Sequence, residues 1–118
     1  MPHVVLEKAQ LTPQLFQALE PFALKIDNGI LKLGDRYINA AGTTALIESL
    51  AIENCKNQSF FIQLSQKDTS LTVRLLPLTD PEKSPGVKML MAQIAKQIKD
   101  SSATIEYGKT NLQDYLLP

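Results

Sequence analysis

Cysteine and histidine each occur once in these 118 residues, tryptophan is absent, and neither sign of charge prevails. Cys55 has no second cysteine with which to close an intramolecular disulfide. One cysteine and one histidine cannot supply the spaced sulfur and imidazole ligands of a structural zinc, so a metal-free chain with no cofactor is expected. A Ser–His or Cys–His nucleophilic pair would have to use His3, third in the chain, where termini are commonly mobile. Twelve Lys plus Arg balance twelve Asp plus Glu at a formal net charge of +0, so no global field gathers nucleic acid or an anionic membrane surface. Neither is expected as a partner.

Glycine is also sparse. The five glycines, at 29, 34, 42, 86 and 108, are scattered, whereas a phosphate loop needs them clustered so that backbone amides can close on an anion. No apolar run approaches the roughly 20 residues of a membrane-spanning helix. The stretch Ala45 to Ile52 comes nearest and is interrupted by Glu48. The first residues, Met1 to Lys8, lack the basic region, apolar stretch and cleavage site of a secretory signal, which makes the cytoplasm the expected compartment. On that expectation the sequon at Asn57-Gln58-Ser59 is a coincidence of composition.

What is present is an ordinary globular composition, 44% hydrophobic and 20% charged, and a length that suits one domain over 1–118. His3 to Lys8 reads as a strand. Thr12-Pro13 marks a helix start, because the hydroxyl can accept an exposed amide while proline sits where its missing donor costs nothing. Leu15, Phe16 and Leu19 share a face of that helix until Pro21 stops it. From Phe22 the period is two, and Asp27-Asn28-Gly29 predicts a tight hairpin into Ile30 to Leu33. Gly34-Asp35 fits either a second turn or a bulge in one longer strand.

Gly42-Thr43-Thr44 predicts a second helix to about Asn54, with Leu46, Ile47, Leu50 and Ala51 as its apolar stripe. Phe60, Ile62 and Leu64, then Leu71, Val73 and Leu75, predict two strands pairing antiparallel across a polar loop, Ser65 to Ser70. Ser84-Pro85 begins a long helix striped by Val87, Leu90, Met91, Ile94 and Ile98. A short strand over Ala103 to Tyr107 and a helical turn capped by Thr110 complete the chain. The expected architecture is α+β: a mostly antiparallel sheet of about five or six short strands packed on two or three helices, in two layers and one domain.

Few residues carry chemistry. Asp35, Arg36 and Tyr37 form the densest polar cluster and define a candidate ligand-binding cleft. The carboxylates Asp27, Glu48, Glu53, Asp68 and Asp80 are further acid–base candidates, each with a ready explanation as turn residue or solvated flank. Ala40 to Thr44 offers an anion a capped helix start, and Lys88, Lys96 and Lys99 give the last helix a basic flank without interleaved aromatics. Cys55, at the end of the expected second helix, reads as a small filler or an inert thiol. Tyr115, Leu116 and Leu117 form an apolar tail that must fold back or bury in a partner. With catalytic residue types this scarce, the expected function is a non-enzymatic interaction or regulatory module forming a homo-oligomer or binding a protein partner. The alternative is a small-ligand-binding protein or cofactor-independent enzyme with its cleft at Asp35, Arg36 and Tyr37.

Overall fold

In the computed structural model, residues 2–79 and 81–118 are described. Seven strands make one antiparallel sheet in the order β2-β3-β4-β5-β6-β1-β7. They are β1 (His3–Glu7), β2 (Phe22–Ile26), β3 (Gly29–Ile38), β4 (Thr44–Glu53), β5 (Lys56–Lys67), β6 (Ser70–Leu75) and β7 (Glu106–Thr110). A short helix α1 (Pro13–Ala18) follows β1, and the long helix α2 (Pro85–Asp100) lies between β6 and β7. The sheet curls into a half-barrel with 46% of the residues in strands and 22% helical. This corrects the expected α+β fold of five or six short strands on two or three helices.

The largest single correction is at residues 43 to 54. The expected second helix is strand β4, hydrogen-bonded to β3 on one side and to β5 on the other. Its inward residues are Ala45, Ile47, Ser49 and Ala51, all buried. Three of the four, Ala45, Ser49 and Ala51, are small and leave room for α2 against the sheet, and the Ser49 hydroxyl satisfies itself on the Ile47 carbonyl at 3.0 Å. The hairpin into β5 turns at Asn54 and Cys55, whose φ values of +52° and +65° match the two positive torsions of a type I′ turn. Three further boundaries move. Ser65 to Ser70 is no loop, because β5 continues to Lys67 and reverses into β6 over two residues. The last strand starts at Glu106, three residues after its expected beginning at Ala103, and the expected terminal helix is a hydrogen-bonded turn.

Helix α2 fills the concave face. Pro85 occupies its first turn, and the Ser84 hydroxyl accepts from the Val87 amide. Val87, Leu90, Met91, Ile94, Ala95 and Ile98 are buried against Val4, Leu6, Leu31, Leu33, Ile62, Leu64, Leu71, Val73 and Leu75 of the strands. Each large side chain so buried contributes about 1.5–3 kcal/mol before the entropy of ordering is counted. The interior of the half-barrel is thereby occupied by protein. At the other end α1 closes the core with Leu15, capped as expected by Thr12, whose hydroxyl accepts from the Leu15 amide at 3.1 Å.

Candidate functional site

The long strands have a second face. Alternation that sends Ala45, Ile47, Ser49 and Ala51 inward sends Leu46, Glu48, Leu50 and Ile52 outward, where they are only half-buried. Cross-strand register lines them up with outward residues of β3 and β5. Ile52 stands between Ile30 and Asn57, Leu50 between Lys32 and Ser59, and Leu46 between Tyr37 and Gln63. Glu48 faces Phe61. A solvated sheet face normally carries polar residues. This one carries leucine, isoleucine, phenylalanine and tyrosine.

Two features shape that face. The first is a bulge: Leu33 pairs with Ser49 and Arg36 with Ile47, so β3 spends three steps where β4 spends two. Gly34-Asp35 is therefore a bulge within one strand. The bulge flips the alternation, turning Tyr37 outward. Its hydroxyl donates to Glu48 Oε1 at 2.7 Å, and its ring meets Phe61 edge-on with centroids 6.3 Å apart. The second is the 3-10 turn Pro77–Thr79 after β6. The Thr79 hydroxyl accepts from the Phe61 amide at 3.0 Å and donates to the Leu76 carbonyl, which ties the turn to β5.

Between these features lies an open, predominantly apolar hollow of about 580 Å³ whose lining includes Lys32, Gly34, Glu48, Leu50, Phe61 and Thr79. Leu78, adjoining Thr79, is 92% exposed, an extreme for a leucine. Of the β4 residues lining the hollow, the sequence marked only Glu48 as solvent-facing, because the stretch reads as a helix and the outward leucines then fall on that helix's buried stripe.

The cluster Asp35, Arg36 and Tyr37 does not share one face. Tyr37 points outward, Arg36 pairs on the inward side with its guanidinium 5.5 Å from the centre of the Phe16 ring, and Asp35 is exposed on the bulge. The phenol of Tyr37 is held above its ordinary pKa, first by its hydrogen bond to Glu48 and then by desolvation and the carboxylates of Glu48 and Asp35. The tail residues Tyr115 and Leu116 pack against the core, and the Leu117 carbonyl accepts from the Tyr107 hydroxyl at 2.6 Å. Lys88 lies over the Tyr115 ring and Lys99 over the Tyr107 ring, while Lys96 binds Asp100 and the Pro118 carbonyl. The basic flank of α2 thus serves to hold the tail and β7.

Of the other carboxylates, Glu53 is the most constrained: it accepts from the Ser84 hydroxyl at 2.5 Å and from the Gly86 amide at 3.0 Å. It occupies the N-terminus of α2 as an internal anion. The cleft around it, about 670 Å³, also contains Lys56 paired with Glu82, and the Gln58 side chain accepting from the Glu82 amide. These groups satisfy one another. Asp27 and Asp68 sit at hairpin turns, and Asp80 lies outside the described residues. Ala40 to Thr44 is a strand-to-strand turn in which the Asn39 side chain already accepts from the amides of Thr43 and Thr44, at 2.9 and 3.1 Å. With no helix ending there, Cys55 is an exposed thiol at the tip of a hairpin. Among the described residues no group of three or more His, Cys, Asp or Glu is arranged to hold a metal, and no helix is long and apolar enough to cross a membrane.

Comparison of the chain with protein-family models, with curated proteins and with solved structures found no match.

Proposed function

We propose that the chain is a non-enzymatic interaction module whose contact surface is the outer face of β3, β4 and β5. The observation that carries this reading is the apolar row of Leu46, Leu50 and Ile52 on β4 with Phe61 beside them on β5, on the side away from α2. A row of apolar side chains left half-exposed on one sheet face is costly to keep in water and marks a place where another molecule binds. Polar groups distant from it are engaged in holding the fold: Glu53 at the start of α2, Lys96 and Lys99 at the tail, and Asn39 in the β3–β4 turn.

The reading is tested by placing a photo-reactive benzophenone side chain at Ser59, on this face, and at Gln17, exposed on α1. Illumination in the cell of origin is expected to give covalent protein adducts from position 59 and none from position 17. Absence of adducts from 59, or equal yields from both positions, overturns the proposal.

A further inference from the structure

Resting on that reading, we infer that the molecule docked on the outer face is a second copy of this chain, with Leu78 of each copy seated in the apolar hollow of the other. The hollow and the projecting leucine are immediate neighbours. Thr79 lines the hollow and Leu78, 92% exposed, precedes it in the same turn. A knob and a hole on adjacent residues suit an isologous contact, because one two-fold axis passing near Thr79 satisfies both at once. A heterologous contact would leave one knob and one hole unused at each end.

Charge agrees with this pairing. The lining of the hollow includes both Lys32 and Glu48, so a two-fold operation can bring the cation of one copy toward the anion of its mate. The formal net charge of +0 adds no long-range repulsion between copies. Gly34 deepens the site: a Cβ there would lie 3.3 Å from Glu48 Oε2, so a larger residue would crowd the rim.

The sheet edges are poorer candidates for self-association. Edge strands β2 and β7 are only five residues each. β2 is preceded by Pro21 and carries Lys25, while β7 contains Gly108 and Lys109 and has a register shift against β1. Short length, proline, lysine and irregular pairing are the usual means of blunting an edge. The strands Phe60 to Leu64 and Leu71 to Leu75, which the sequence leaves without internal proline, lie inside the sheet with partners on both sides.

The test uses the full chain and two variants at exposed positions. Leu78→Asp removes the knob, and Lys32→Glu puts a second carboxylate beside Glu48 at the hollow, so that like charges meet across the two-fold. Light scattering and sedimentation across the micromolar range are expected to show a dimer for the parent chain. Each variant is expected to weaken it by about tenfold or more, with melting of the monomer unchanged. The benzophenone at position 59 is expected to give an adduct of twice the 13.1 kDa chain mass. A parent chain monomeric throughout, or a dimer unaffected by both variants, overturns the inference. Adducts of a different mass from position 59, with the purified chain monomeric, would overturn the second copy while leaving the interaction face standing. No adduct of any mass would overturn both.

Discussion

Tyr37 and Glu48 are joined across β3 and β4 by a 2.7 Å hydrogen bond on the outer face, and the bond exists because of the bulge at Gly34-Asp35. Without the extra residue, Tyr37 would fall on the inward side among the residues that meet α2. The bulge thus moves an aromatic ring from the core to the surface, beside Phe61. It also separates Tyr37 from Arg36, so a cluster contiguous in sequence is split between two environments.

The bond has a titration signature. The phenol of Tyr37 is held above its ordinary pKa of 10.0, with the Glu48 hydrogen bond the leading cause. A group whose folded pKa lies above its unfolded value contributes stability that is present below the unfolded pKa and lost as pH rises through the folded one. Stability from this group is therefore expected to fade only in the alkaline range above pH 10. Ultraviolet titration of the three tyrosines should show one phenol moving down toward its ordinary value in Glu48→Ala. An unchanged titration would mean that the pair is not formed in solution.

Leu90 and Ile94 are 0% and 1% exposed where α2 crosses the sheet. Truncating either to alanine removes packed methylenes from a site lined by several strands, which relaxes only in part. Each variant is expected to lose about 2–5 kcal/mol in urea unfolding, read as a lower midpoint at an unchanged slope. Losses near zero for both would place the helix elsewhere.

Gly86 stands in the first turn of α2, where alanine would ordinarily be the better helix former by about 1 kcal/mol. A Cβ at this position would lie 2.6 Å from the carboxyl carbon of Glu53 and 2.8 Å from Leu31 Cδ2. Propensity and packing therefore oppose each other, and the close approach to a buried leucine decides. Gly86→Ala is expected to melt below the parent. A higher melting temperature would show that Glu53 is not seated on the amides of this turn.

Much of the fold was legible where local chemistry and pattern agree. Thr12-Pro13 and Ser84-Pro85 start helices, Asp27-Asn28-Gly29 makes the β2–β3 hairpin, and the Phe60 and Leu71 strands pair as their alternation requires. The largest failure is at β4 and its turn, and its cause is physical. A strand bearing apolar residues on both faces loses the period of two, and Leu46, Ile47, Leu50 and Ala51 then imitate a helical stripe. Three of the four inward positions, Ala45, Ser49 and Ala51, are small, and outward positions are large where the candidate contact surface lies. The misread element supplies the middle strand of the candidate site. Of the tail, Leu112 is buried and Tyr115 and Leu116 pack on the core, contacts that depend on where α2 and β7 run and so have no local signal.

The turn after β4 also lacked its usual marker. Type I′ hairpins favour glycine at the second central position, because both central residues take positive φ. Here that position is Cys55 at +65°, following Asn54 at +52°. A side chain in the left-handed region costs roughly 1–2 kcal/mol, which glycine avoids, although glycine gives back part of the gain through the larger entropy of its unfolded chain. Cys55→Gly is therefore expected to stabilise the chain by about 0.5–1 kcal/mol, measured as a higher urea midpoint with an unchanged slope. Cys55→Ser keeps the Cβ and removes only the thiol, so it should leave the midpoint where it was. Equal stabilisation by serine would assign the effect to the exposed sulfur. A loss with glycine would mean that the hairpin does not turn through two left-handed residues, and with it would go the register that places Leu50 opposite Ser59 and Lys32 on the outer face.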